Sequence, residues 1–465
     1  MDSMLLIRNG LIVDTEWQRR EDILVKDGKI LRTAKSIPPE MLPADTEIVN
    51  ADGLLVMPGF IDAHTHFGLV SRGTVTADKF REGSRCALAG GVTTVVDFAD
   101  DDKKHSLKEC AKMRIDEMKD TMAVDFALHQ GVYHVGKTTE KDLKELVEAG
   151  ISVIKIFTTY RNVGYLIENR DELRQLFKWA KENKILITAH CEDNDTIESI
   201  EKTYKGSYKP INHTELRPAK AEAIAIRNLG TLALEEEMPL YIVHVSSEEG
   251  LQEVYDLREE GARIFIETTP HYLFADKSLL QGKNGALALM TPPLRSKKDN
   301  AALTEALEDG DINVIATDHC AFTSEQKLST GDDCRHTLPG IPGTQEMSSL
   351  LSTFASTGGL INIQQFVNLI STGPAKLFGL YPRKGALHIG SDADIVLFDP
   401  EESWKVTKNT IQSASGYSIY EGRTLIGKVK MVYLRGHLAY GDGMFLSQDG
   451  DGEFIREGVS AAYKY

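Results

Sequence analysis

The feature that most restricts the fold is an alternation, between residues 56 and 380, of short apolar stretches with amphipathic ones. Strands that alternate with helices form βαβ units and therefore a parallel sheet. Eight such strands close a (β/α)₈ TIM barrel, so we predict this α/β barrel rather than an open, doubly wound sheet. The predicted strands are 56–62, 92–98, 124–128, 152–157, 185–189, 240–243, 263–267 and 313–317. The predicted helices include 107–119, 141–149, 171–183, 219–229 and 249–260.

The regions on either side of the barrel have the short apolar runs and turn residues of β-structure. The clearest strand patterns are at 5–7, 11–13, 23–25, 394–398 and 428–434. We therefore predict that both ends of the chain join one β-sandwich beside the barrel. The predicted domains are 1–56 for the first part of the sandwich, 57–380 for the barrel, and 381–465 for the second part with a C-terminal tail.

Charge and cysteine content limit the partners of the chain. Its 465 residues include 53 basic and 69 acidic side chains, and the net charge of -16 would repel a phosphate backbone, so we expect no nucleic acid partner. No run approaches the roughly 20 apolar residues of a membrane span, and the N-terminus lacks a secretion signal. We therefore expect a cytoplasmic protein with no membrane partner. The 5 cysteines include no CxxC pair, so nitrogen and oxygen atoms would have to hold any metal.

Side chains suited to metal binding fall at or near the ends of the predicted strands. In a (β/α)₈ barrel these ends meet at one mouth, which brings together residues that are far apart in sequence. In His64-Thr65-His66, alternation along a strand directs both imidazoles to the same side, where neutral nitrogens can bind zinc. The residues that predict a metal site are His64, His66, Lys155, His190, His244 and Asp318.

Lys155 stands inside an apolar strand, where an unpaired ammonium would be costly. It could pair with Asp318, act as a Schiff-base nucleophile, or be carbamylated so that its new carboxylate bridges two metals. The histidines favour the carbamate, because two metal cations would repel an ammonium. His271 is a lone loop histidine, a kind of residue that is more often structural, and we leave it out of the ligand set.

Two residues are candidates for a direct role in catalysis. Asp318 is either a helix cap or, beside a metal, a ligand that also takes a proton from bound water. Tyr160 lies in the loop after the strand that carries Lys155. Its phenol could donate a hydrogen bond to the oxygen that becomes negative when an amide is attacked, although loop tyrosines without any role are common.

The sequence PGFIDAHTH at residues 58–66 resembles the opening motif of the amidohydrolase superfamily. The closest likeness within it is to the cyclic amidohydrolases called hydantoinases and dihydropyrimidinases, and it extends over most of the chain. The further motifs that carry it are GTVTAD at 73–78, AGGVTT at 89–94, AHCE at 189–192, VHVS at 243–246, TPPLR at 291–295, TDHC at 317–320, PAKLFGL at 374–380 and GSDAD at 390–394.

The resemblance implies a homotetramer that hydrolyses a small cyclic amide, a hydantoin or 5,6-dihydropyrimidine, to an N-carbamoyl amino acid. It also implies two Zn²⁺ per chain, bridged by carbamylated Lys155 and by the hydroxide that attacks the ring. Asp318 would pass the proton to the leaving nitrogen, and the oxyanion tyrosine of the family falls on Tyr160. The first ion would be held by His64, His66, the Lys155 carbamate and Asp318. The second would be held by the carbamate, His190 and His244.

Three further positions bear on the substrate. Thr291 is either an ordinary loop residue or, as in the family, one whose main chain holds the ring amide. Pro339 replaces an asparagine that is frequent in the family, and it keeps the carbonyl acceptor but has no N–H donor. Gly68 stands where dihydroorotases have an arginine that grips a carboxylate, and many hydantoinases have an aspartate there. An uncharged ring is therefore expected. The alternatives are allantoinase or dihydroorotase activity, or a non-catalytic assembly protein that resembles dihydropyrimidinases.

Overall fold

The computed structural model describes residues 4–464, without the side chains at 357 and 358, and a (β/α)₈ barrel forms its centre. Its eight parallel strands pair in chain order. The first and last strands meet where Thr65 and His319 form a parallel bridge, and the N–H of His66 donates to the carbonyl of His319 at 2.8 Å. The predicted barrel is confirmed. Its strands are Phe60–Asp62, Val92–Ala99, Asp125–Gly131, Val153–Phe157, Leu186–His190, Leu240–Ile242, Ile264–Thr268 and Val314–Ile315.

The chain enters the barrel at Gly59, which divides the predicted strand 56–62 between two sheets. Leu55–Pro58 pairs with a strand from the C-terminal region, whereas Phe60–Asp62 pairs with the second barrel strand. A Cβ atom at position 59 would lie 2.1 Å from Oγ1 of Thr93, so a side chain would have no room. The prediction of one continuous strand is wrong because the apolar residues continue through the point where the chain changes sheets.

Helices connect the strands and cover the outside of the barrel. Ser106 accepts a hydrogen bond from the N–H of Glu109, and the Glu109 side chain bonds back to Ser106, a capping box that sets where this helix begins. All five predicted helices are present, with ends that differ by up to several residues. The longer helices are Phe80–Ala89, Leu107–Met118, Thr139–Ala149, Arg170–Glu182, Asn194–Thr203, Ala219–Glu235, Glu248–Glu259 and Lys297–Glu308. The shorter ones are His213–Leu216, Pro270–Phe274, Ser324–Leu328, Met347–Thr353, Ile363–Val367 and Gly373–Leu377.

A β-sandwich built from both ends of the chain flanks the barrel, as predicted. Apolar side chains such as Ile7, Val25, Val56 and Leu397 fill the space between its two sheets. The four-stranded sheet contains Lys29–Ala34, Asp22–Lys26, Met4–Arg8 and Glu47–Asn50. The seven-stranded sheet contains Met444–Phe445, His437–Gly441, Thr424–Leu434, Ile395–Lys405, Leu55–Pro58, Leu11–Val13 and Gln18–Arg20. Residues 1–3 and 465, which the predicted domains include, lie outside the described residues.

The last described residues pack against the barrel strands. The N–H of Phe126 donates to the carbonyl of Glu453 at 2.9 Å, and the carboxylate of Glu457 accepts from the N–H of Ser152 at 2.7 Å. Within residues 4–464, no helix is long and apolar enough to cross a membrane.

Candidate active site

A cavity of about 630 Å³ opens at the mouth of the barrel, beside the carboxyl ends of the strands. Its walls are irregular loops and strand ends, which is where (β/α)₈ enzymes place their reacting groups. The structure brings all six predicted ligand residues and the three predicted substrate contacts into this one cavity. The residues concerned are His64, His66, Lys155, Tyr160, His190, His244, Thr291, Asp318 and Pro339.

One group of donors in the cavity consists of His64, His66 and Asp318. Oδ1 of Asp318 lies 3.3 Å from Nε2 of His64 and 3.1 Å from Nε2 of His66. Single donor atoms of the three residues lie within 4.8 Å of one another, close enough to share one cation. Burial alone would raise the pKa of the Asp318 carboxyl, but the two imidazoles hold it well below its ordinary value. The carboxylate is therefore ionised at neutral pH.

A second group of donors is formed by His190 and His244. Nδ1 of His190 lies 3.0 Å from Nε2 of His244, and Nε2 of His190 donates to Glu192 at 2.7 Å. Nδ1 of the buried His244 has no hydrogen-bond partner among the described residues. Burial lowers the pKa of both imidazoles, so they are neutral at pH 7 and keep a lone pair for a metal.

Lys155 lines the same cavity as these two groups of donors and is only 2% exposed. Its Nζ is 5.2 Å from the ring centre of Phe98 and 5.3 Å from that of Phe157. Burial lowers its pKa to about 8. The ion pair with Asp318 that the sequence left open does not form, because no carboxylate in the described part of the chain lies within 4 Å of this nitrogen.

Two strand ends at the cavity have unusual backbone conformations. His244 has φ of 40° and Asp318 has φ of 50°, in the left-handed region that side chains other than glycine seldom adopt. Each such residue costs about 1–3 kcal/mol and persists only where its surroundings impose the conformation, and such residues are frequent in active sites. Here the strained conformation directs both side chains toward the same cavity as the other donors.

Buried carboxylates that sequence reasoning missed orient the histidines. Oε1 of Glu267 accepts a hydrogen bond from Nδ1 of His64 at 2.8 Å, which leaves Nε2 of that ring for the cavity. Glu192 holds His190 in the same way and also pairs with Arg217 at 2.7 Å. Burial alone would raise the pKa of Glu192, but Arg217 holds it well below its ordinary value. The sequence showed that Glu192 stands two residues after His190 and that Glu267 ends a predicted strand. It did not show which side chains these two carboxylates contact.

Tyr160 has φ of 66°, and its ring packs against the guanidinium of Arg217, 5.1 Å from the ring centre. Burial raises the pKa of its phenol to about 12, so the hydroxyl remains protonated and able to donate a hydrogen bond. The ring centre of Tyr160 also lies 5.8 Å from that of Phe157 and 5.5 Å from that of His190. This loop tyrosine is therefore held in the cavity by specific contacts.

The main chain of two cavity residues is free to bind a ligand. Neither the N–H nor the carbonyl of Thr291 forms a hydrogen bond within the described residues, although its hydroxyl lies 3.1 Å from Nε2 of His213. Among residues 4–464, the carbonyl of Pro339 accepts a hydrogen bond only from the thiol of Cys320, at 3.8 Å. These groups can pair with an amide, which presents one donor and one acceptor.

The loop after the paired histidines contributes both apolar residues and a charged one to the cavity. Gly68, Leu69 and Val70 line the cavity, as does Arg72 at the tip of the hairpin formed by Val70–Ser71 and Thr74–Val75. Nη1 of Arg72 donates to the carbonyls of residues 335 and 337 at 2.8 and 2.9 Å. A positive charge therefore lies at the rim of the cavity.

His271 is buried, and its Nε2 has no hydrogen-bond partner in the described part of the chain. Burial lowers its pKa to about 3, so the ring is neutral. It is not among the residues that line the cavity.

A (β/α)₈ barrel whose mouth gathers four imidazoles, a lysine and an aspartate has the architecture of a metal-dependent hydrolase. Comparison with known proteins defines the group more closely. The sequence profile of the Amidohydrolase family matches residues 55–439. A D-hydantoinase of Ralstonia pickettii is 35% identical over 457 residues, which are 97% of this chain and 98% of that protein. A D-phenylhydantoinase of Escherichia coli O1:K1 / APEC is 33% identical over 97% of this chain and 98% of its own.

A solved structure leads to the same group. The dihydropyrimidinase from Brevibacillus agri NCHU1002 superposes with a TM-score of 0.94 and 31% sequence identity, over 98% of this chain and 99% of that chain. The chain belongs to the amidohydrolase family and, within it, is a cyclic amidohydrolase of the hydantoinase and dihydropyrimidinase group.

Proposed function

We propose that this chain opens uncharged rings of the hydantoin or 5,6-dihydropyrimidine kind and releases N-carbamoyl amino acids. The observation that supports this most is the single cavity in which metal-binding groups meet Tyr160 and the unpaired main chain of Thr291. Bound metal ions would promote the attack of water on an unreactive amide. The free N–H and carbonyl of Thr291 can pair with the carbonyl and N–H of an amide in a ring.

The residues present fit two zinc ions per chain. Neutral imidazoles, an ionised Asp318 and the unpartnered Nδ1 of His244 form a donor set of nitrogen and oxygen atoms, as zinc prefers. Carbamylated Lys155 would lie between the two groups of donors. When bound, the two divalent cations would polarise the ring carbonyl and make hydroxide available near neutral pH. The proposed ligands are His64, His66, Lys155, His190, His244 and Asp318.

The roles of the remaining groups follow from their chemistry. Asp318 accepts the proton of the attacking water and delivers it to the leaving ring nitrogen. The phenol of Tyr160 donates to the oxygen that becomes negative during attack. The N–H and carbonyl of Thr291 hold the ring amide, and the carbonyl of Pro339 accepts from a second ring N–H.

Glu192→Gln tests whether this carboxylate orients His190. We expect zinc affinity to fall by about 10–100-fold, because the anion that keeps the proton on Nε2 of His190 is lost. Zinc retained against a competing chelator measures the effect. Asp195→Asn is the control, since this carboxylate is 80% exposed and its one ion pair in the described part of the chain is with the half-buried Arg161. Equal zinc affinity in the two variants would contradict the role of Glu192.

A substrate panel with matched metal loading tests the proposed function. Dihydrouracil, dihydrothymine and 5-substituted hydantoins should be opened at least about tenfold faster than dihydroorotate, whose carboxylate would be desolvated without a dedicated partner. Metal analysis should find about two ions per chain. Faster opening of dihydroorotate or allantoin, or activity in a metal-free preparation, would overturn the proposal.

Every proposed ligand position is occupied by a residue able to bind metal, which disfavours the alternative of a non-catalytic assembly protein. The homotetramer and the cytoplasmic location remain predictions. Light scattering of the purified chain and imaging of the tagged protein in its cell would test them.

A further inference from the structure

Lys327, on the short helix Ser324–Leu328, is fully buried. No carboxylate forms an ion pair with it among the described residues, and burial lowers its pKa to about 7. An amine in such a position is costly unless hydrogen bonds compensate. Its Nζ donates to two main-chain carbonyls, that of Leu289 at 2.7 Å and that of Gly340 at 2.5 Å.

These two carbonyls belong to the loops that carry the free main-chain groups of the cavity. Leu289 stands two residues before Thr291, and Gly340 directly follows Pro339. The N–H of Gly340 also donates to the carbonyl of Leu289 at 3.0 Å. Lys327 therefore completes a cluster of three hydrogen bonds that joins the two loops behind the cavity wall.

Neither loop has regular structure to hold its shape. Residues 289–292 and 338–340 lie outside every helix and strand of the barrel, and Gly340 has φ of 138°. A Cβ atom at position 340 would lie 2.4 Å from the carbonyl oxygen of Cys320, so the loop is closely packed there. The spacing between the two loops thus depends on the few hydrogen bonds that connect them.

We propose that Lys327 is a positioning residue for the ring amide, fixing the main-chain groups of Thr291 and Pro339 at the spacing that the substrate ring requires. This inference rests on the proposed function, because it concerns the same cavity. Lys327 does not touch the substrate itself. A displacement of about 1 Å in such groups can reduce kcat/KM by about 100-fold, so the spacing of the two loops matters for the reaction.

Lys327→Met tests the proposal, since methionine fills similar volume but cannot donate. In the metal-loaded, full-length chain we expect KM for a 5-substituted hydantoin to rise by about 10–100-fold, with kcat changed much less. The reason is that the contacts to the ring amide are weakened equally in the enzyme–substrate complex and in the transition state. Zinc content should remain at the wild-type value. A merely structural role would lower the melting temperature without raising KM.

Lys384→Met is the matched control, because this lysine is also buried but pairs with Asp125, Asp392 and Asp394 away from the cavity. It should lose stability and keep the wild-type KM. Lys327→Gln, whose shorter amide can reach one carbonyl at most, should give an intermediate KM.

Unchanged KM in both Lys327 variants would overturn the positioning role, as would failure of both to fold, which would assign the lysine to folding. If the wild-type chain opens no cyclic amide, the proposed function fails first and this inference fails with it. If the wild type is active and both Lys327 variants have the same KM as the wild type, the proposed function stands and only this inference fails.

Discussion

Replacing Lys155 by alanine is expected to reduce ring opening by at least about a thousandfold and to leave fewer than two metal ions per chain. The side chain lines the cavity that also holds the His64–His66–Asp318 donors and the His190–His244 donors, and a carbamate on it would be the ligand that both ions share. Loss of the shared ligand removes charge stabilisation of the reacting carbonyl together with metal affinity. Turnover and elemental analysis of the same preparation measure both effects.

Two further measurements separate a carbamate from a simple cation at this position. Lys155→Arg keeps a positive charge but cannot be carbamylated, so it should be as inactive as the alanine variant. Short carboxylic acids added to Lys155→Ala should restore part of the rate by taking the place of the missing carboxylate. Near-normal turnover and metal content in Lys155→Ala would show that the carbamate assignment is wrong.

Asp318→Asn is expected to lower kcat by about 100- to 10,000-fold, the range typical of removing a proton-transferring group. Asparagine has nearly the same shape and keeps an oxygen toward His64 and His66, but it cannot accept the proton of the attacking water. Zinc content should fall much less than activity. Single-turnover rates at saturating substrate and metal measure the chemical step directly.

Asp100→Asn is the matched control for Asp318→Asn. Asp100 lines the same cavity, and its carboxylate accepts a hydrogen bond from the hydroxyl of Tyr133 rather than contacting the metal-binding donors. Its kcat should stay within a few-fold of wild type. If Asp318→Asn retained activity comparable with that of this control, another group would have to be the proton acceptor.

Most of the fold was predictable because its signals are local. The alternation of apolar and amphipathic stretches gave the correct number of barrel strands, and the strand patterns at both ends gave the sandwich. The error at 56–62 arose because strands in two different sheets share one apolar run, and only the steric limit at Gly59 separates them. The pattern of apolar residues predicts that a residue is buried, but it does not indicate which sheet the residue belongs to.

The sequence by itself determined which side chains stand at the strand ends, and barrel topology then implied that they meet. Their partners were decided by the tertiary structure, because hydrogen bonds such as that between His64 and Glu267 join residues 203 positions apart. Lys327 shows this most clearly. In the polar run Glu325-Gln326-Lys327 it has the pattern of an exposed lysine, yet it is 0% exposed and bonded to two loops of the cavity. Burial of a charged side chain depends on which distant segments fold over it, and no local pattern records that.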